Sequence, residues 1–113
     1  MADIFHENRP WGKYKRFTLN EISTVKIIKV KPNSILSLQY HNKRREMWYF
    51  LTEGYVQIGN KKKKIKKEGI VEIPVKTLHR LYAKDKEVVV LEVSFGFFDE
   101  NDIVRVEDVY GRK

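Results

Sequence analysis

The 113-residue chain contains no cysteine. That excludes a disulfide framework, a thiolate metal site and a cysteine nucleophile, and it fits a reducing, cytoplasmic setting. Proline is scarce at three residues and glycine at six, so no linker or low-complexity segment is expected. No apolar run approaches the roughly 20 residues of a membrane-spanning helix. The N-terminal Met1-Ala2-Asp3-Ile4-Phe5-His6 lacks the apolar stretch of a signal peptide, so no membrane partner is expected. Sustained 3.6-residue periodicity is also missing, which leaves only short helical pieces near Asn101 to Val109. What remains is 42% hydrophobic and 12% aromatic residues, enough for a folded core in one domain spanning residues 1–113.

Acidic residues are outnumbered, 15 against 23 Lys and Arg, for a formal charge of +8. Six of those lysines fall between Lys61 and Lys67, interrupted only by Ile65, and without them the charge is +2. Aromatic residues do not alternate with these lysines, as single-strand nucleic-acid binders require. No helix-turn-helix or zinc-finger pattern appears either. The stretch is read as a solvated sheet edge, because lysine discourages edge-to-edge pairing. No nucleic-acid partner is expected.

Short β-branched and aromatic runs recur: Val25 to Val30, Ser34 to Tyr40, Met47 to Leu51, Tyr55 to Ile58, Ile70 to Ile73 and Glu87 to Phe95. Turn residues separate them, among them Pro32-Asn33, Gly54 and the Glu68-Gly69 pair that follows the lysine stretch. Gly59-Asn60 suits a two-residue hairpin loop, with the lysines on the return strand. The pattern predicts an all-β sandwich or small barrel.

Ser37-Leu38-Gln39-Tyr40-His41-Asn42-Lys43-Arg44-Arg45-Glu46-Met47-Trp48 carries the chemistry. On a strand Gln39 and His41 share a face. A turn at Asn42 to Arg45 brings Glu46 back beside them, and His79 follows 33 residues after Glu46. Two imidazoles, a carboxylate and an amide oxygen suit Zn²⁺, Fe²⁺, Mn²⁺ or Ni²⁺. Each histidine alone also reads as an ordinary structural or surface residue, and Glu46 as a solvated charge.

The order of motifs resembles the cupin domain of the type II mannose-6-phosphate isomerase family. Arg9-Pro10-Trp11-Gly12-Lys13-Tyr14 matches that family's opening. Leu36-Ser37-Leu38-Gln39-Tyr40-His41 with Arg44, Glu46 and Trp48 matches its signature. Gly54, Ile73-Pro74 and His79-Arg80-Leu81 follow in order, and Glu100 to Arg112 matches the tail. Asn33, Lys43, Leu78, Ser94 and Asn101 depart from the usual residues, and none of them is a presumed ligand.

The resemblance implies a cupin double-stranded β-helix, a jelly-roll barrel with a divalent ion at its mouth, Zn²⁺ first among the candidates. It implies Gln39, His41, Glu46 and His79 as ligands. It assigns substrate or phosphate contacts to Arg44, Arg105 and Arg112. For Arg105 and Arg112, salt bridges to Asp102, Glu107 or Asp108 are the competing reading. The implied reaction interconverts mannose 6-phosphate and fructose 6-phosphate, with a small phosphorylated sugar as partner and a homodimer as assembly. Glu92, Ser94 and Lys43 stay open as general bases. Trp11 and Tyr14 are expected to pin the N-terminal segment to the barrel. No nucleotide-binding signature is present, so a stand-alone cupin without guanylyltransferase activity is expected. A metal-binding cupin that binds a sugar or sugar phosphate without turnover is the alternative.

Overall fold

The computed structural model describes residues 5–111. Eleven strands are present in these residues and no helix. They are β1 (Phe5–Arg9), β2 (Gly12–Arg16), β3 (Ser23–Val30), β4 (Leu38–Tyr40), β5 (Glu46–Phe50) and β6 (Gly54–Ile58). Then follow β7 (Lys61–Ile65), β8 (Ile70–Ile73), β9 (His79–Tyr82), β10 (Val88–Phe95) and β11 (Val104–Glu107). One sheet has the order β3-β10-β5-β8 and a second the order β11-β4-β9-β6-β7, while β1 and β2 form a separate hairpin. All pairings between these strands are antiparallel.

Alternation along the strands sets the faces. On β10, Val88 and Val90 lie in the core with Phe50 and Trp48 of β5, Val56 of β6 and Leu81 of β9. Glu92 and Ser94 continue the same face of β10, and Glu46 continues that of β5, since Glu92 pairs with Trp48 and Ser94 with Glu46. The interior therefore has an apolar end and a polar end on the same strands. The outer face of the first sheet carries Met47, Tyr49 and Val93, covered by Phe17.

Gly54 opens β6 at a close approach, because a Cβ there would lie 2.6 Å from Val88 Cγ1. Asn33 adopts φ +60°, a conformation that glycine and asparagine tolerate best. This accounts for asparagine at a position where the resembling family usually has glycine.

Most expected strands are present, but two expectations are corrected. The Asn101 to Val109 region holds β11, not a helix: Val104 and Arg105 pair with Tyr40 and Gln39, and a bulge follows before Glu107. Trp11 does not pin the N-terminal segment. It sits at the hairpin turn, 74% exposed, while Tyr14 donates to Glu7 within the hairpin. Lys15 makes the connection instead, through Tyr49 OH at 2.9 Å. The lysine stretch behaves as expected: β7 is a sheet edge, with Lys61 to Lys64 exposed.

Candidate metal centre

His41 follows β4, Glu46 opens β5 and His79 opens β9. Register brings them together. Gln39 of β4 pairs with His79, and the 42–45 turn returns the chain so that Glu46 faces both rings. His41 Nε2 lies 3.4 Å and His79 Nε2 3.6 Å from Glu46 Oε1. One ligand atom from each of the three residues falls within 4.8 Å of the others, a grouping that can hold a metal ion. His41 and Glu46 are 2% exposed and His79 is 1% exposed.

The outer nitrogens fix the ring orientation. His41 Nδ1 is 2.6 Å from the Asp102 carbonyl oxygen, and His79 Nδ1 is 2.7 Å from that of Thr77. A carbonyl only accepts, so each Nδ1 carries the hydrogen and a neutral ring turns its Nε2 lone pair toward Glu46. Glu46 Oε1 and His79 Nε2 are buried without a hydrogen-bond partner. His41 Nε2 has Arg44 Nη2 at 3.4 Å and the Gln39 amide nitrogen at 3.5 Å. Glu46 Oε1 and His79 Nε2 are thus the two buried lone pairs here that face each other with no donor, an arrangement that a cation between them would satisfy. The donor set therefore fits a divalent ion.

Glu46 Oε2 is occupied differently. It accepts from Arg44 Nε and from Ser94 Oγ, both at 2.9 Å. Burial opposes ionisation of Glu46. The neighbouring imidazoles of His41 and His79, with the Arg44 guanidinium bonded to Oε2, outweigh burial and hold the carboxyl well below the usual glutamate range.

Asp102 has a role that the sequence does not announce. Besides its carbonyl bond to His41, its carboxylate accepts from the backbone N–H groups of Asn42 at 2.8 Å and Lys43 at 3.1 Å. It shapes the turn between two candidate ligands. Burial would raise its pKa, but these amides, with the Arg44 guanidinium nearby, bring it below the ordinary aspartate value. An aspartate 60 residues from the turn gives no spacing signal for this role.

The other expected residues have distinct places. Gln39 lies beside the cluster, but its Oε1 accepts from Ser37 at 2.6 Å and its Nε2 faces His41 Nε2 at 3.5 Å. Arg44 is buried, donates to the Asp99 carbonyl at 3.0 Å, and stacks on Phe98 at 4.4 Å. Arg105 is opposite Gln39 across the β4–β11 ladder, and its buried Nε has no hydrogen-bond partner. Of the acidic residues expected as its salt-bridge partners, Glu107 pairs with Arg80 at 3.1 Å and the Asp102 carboxylate accepts from backbone amides. Arg112 lies outside the described residues.

Glu92 accepts from Trp48 Nε1 at 3.0 Å. Burial first and the charge of Glu46 second push its pKa up, only partly offset by Trp48, Lys26 and Arg44. A cavity of about 500 Å³ lies under the N-terminal hairpin, with Phe5, Arg16, Phe17, Arg45 and Phe95 in its lining. Glu46 borders it, but neither histidine of the cluster does.

Two facing antiparallel sheets with a His–Glu–His group at one end of the interior define a cupin, the double-stranded β-helix class. Solved structures of that shape agree. The capsular polysaccharide assembling protein CapF of Staphylococcus aureus matches with TM-score 0.69 and 16% identity, over 93% of this chain and 34% of that one. A Klebsiella pneumoniae protein with a double-stranded β-helix domain matches with TM-score 0.67 and 15% identity, over 80% and 78%. The family is more specific. The model for mannose-6-phosphate isomerase, C-terminal, matches residues 3–108, and the chain belongs to that family. The alginate biosynthesis protein AlgA of Pseudomonas aeruginosa is 38% identical over 108 residues, 92% of this chain and 22% of that protein. The mannose-1-phosphate guanylyltransferase ManC of Salmonella typhimurium is 37% identical over 121 residues, 98% and 25%. The chain thus spans about a quarter of the length of these curated relatives.

Proposed function

We propose that this chain is a metal-dependent sugar-phosphate isomerase that interconverts mannose 6-phosphate and fructose 6-phosphate. The observation that supports it most is the convergence of two oriented imidazoles on the unpartnered Glu46 Oε1, in a chain of the isomerase C-terminal family. His41, Glu46 and His79 would hold a divalent ion, with Zn²⁺ the first candidate. Gln39 would join them after a half-turn of its amide, with Ser37 Oγ then accepting from the amide nitrogen.

When bound, such an ion supplies Lewis-acid polarisation of a sugar carbonyl and offsets the negative charge of an enediolate. The chain's own residues do the rest. Arg105, with a buried and unpaired Nε on the Gln39 face, is a donor for phosphate or developing oxyanion charge. Arg44 keeps Glu46 ionised and turned toward the histidines. Glu92, with its raised pKa, is an interior carboxyl suited to hold a proton.

A second reading is a cupin that binds a sugar phosphate without turnover. The near-complete burial of His41, Glu46 and His79 favours it. A coupled assay for fructose 6-phosphate, run on the chelated protein and after metal is restored, separates the two. Metal-dependent turnover supports the isomerase, and binding of mannose 6-phosphate with no turnover in either state supports the binder.

A further inference from the structure

The two oxygens of Glu46 have unequal surroundings. Oε1 faces His41 and His79 and has no hydrogen-bond partner. Oε2 is held by Ser94 Oγ and by Arg44 Nε, each at 2.9 Å. All three side chains are buried, and Ser94 is 1% exposed. Each holder is itself fixed. Ser94 sits inside β10, directly opposite Glu46. Arg44 is fixed at its far end by the Asp99 carbonyl and by Phe98.

We infer that Ser94 and Arg44 are positioning residues that restrict Glu46 to a one-oxygen ligand, leaving Oε1 alone for the ion. The inference rests on the metal reading above and deepens it. A bidentate Glu46 would have to break two buried hydrogen bonds, one of them from a charged donor. Bidentate carboxylates serve large ions with six to eight oxygen ligands, such as Ca²⁺. A single carboxylate oxygen beside two imidazole nitrogens serves the smaller transition ions. The clamp therefore orients the ligand and discriminates against Ca²⁺. Serine stands here where the resembling family usually has glutamine, so this hydroxyl is a feature of this chain's own centre.

The test uses the full chain, titrated with Co²⁺ and separately with Ca²⁺. Ser94→Ala removes one oxygen and adds no volume. Arg44→Met keeps an apolar stem on Phe98 and removes Nε. Each variant is expected to lose about 10–100-fold in Co²⁺ affinity. Each should also shift the visible Co²⁺ absorption bands and narrow the Co²⁺ over Ca²⁺ preference. A Ser94 that served packing alone would lower the metal-free unfolding midpoint and leave Co²⁺ affinity and band positions as in the wild type. That result overturns the inference while the metal reading stands. Wild-type protein that takes up no Co²⁺ overturns the metal reading itself, and the inference with it.

Discussion

Gln39 and Arg105 are direct partners across the β4–β11 ladder, so both side chains rise from one face of the sheet. The same ladder face carries His79, the partner of Gln39 on the other side. A proposed ligand, a histidine of the cluster and a cation with an unpaired Nε thus lie in one row across three strands. That row is the basis for the first expected outcome. Arg105→Ala should weaken mannose 6-phosphate binding by about 1.5–3 kcal/mol, the range for hydrogen bonds to charged groups. The loss for unphosphorylated mannose should be smaller. Calorimetric titration of both sugars checks it, and equal losses would remove Arg105 from phosphate recognition.

His41→Ala and His79→Ala should each strip most bound metal, whereas Gln39→Ala should leave a measurable fraction. The difference follows from geometry: both histidines are oriented by backbone carbonyls, and the Gln39 oxygen is engaged by Ser37. Elemental analysis after equilibration at a fixed metal concentration reads it. Full occupancy in either histidine variant contradicts the site.

Asp102→Ala should destabilise the protein by about 1.5–3 kcal/mol, because two part-buried backbone N–H groups lose a charged acceptor. The pH dependence has a definite sign. The folded pKa of Asp102 is below its ordinary 3.8, so its contribution is fully present above 3.8 and is lost as pH falls through the folded value. Urea unfolding of the two proteins should converge in strong acid and stay apart at neutral pH.

Glu92→Gln should behave in the opposite way. The folded pKa of Glu92 is raised, so the wild type is favoured below the ordinary 4.5 and loses stability as pH rises through the folded value. Glutamine keeps an acceptor for Trp48 Nε1 and removes the buried charge. In metal-free protein the variant should melt higher than the wild type at pH 7, with the gap closing below pH 4.5. A variant that melts lower at pH 7 would show Glu92 to be a stabilising anion.

Strand positions are legible in the sequence where alternation is long or aromatic, as in β5 and β10, and the lysine edge is legible from charge alone. The approach of His41, Glu46 and His79 is legible from one turn together with the family resemblance, and strand parity places Gln39 beside them. Other features depend on distant parts of the chain. β11 is four residues long and becomes a strand by pairing with β4, an interaction that local pattern cannot report. Trp11 reads as an anchor because tryptophan is usually covered, yet the hairpin turn carries it outward. The role of Asp102 requires a carbonyl, a carboxylate and a turn 60 residues away to be seen together.

Isomerisation within this chain is the central claim, and proton NMR of mannose 6-phosphate in D₂O tests it most directly. The metal-loaded chain is compared with chelated chain and with metal-treated His79→Ala. The account predicts fructose 6-phosphate signals that grow with the metal-loaded wild type and are absent in the other two samples. A mannose 6-phosphate spectrum that stays unchanged with the fully loaded wild type would contradict it.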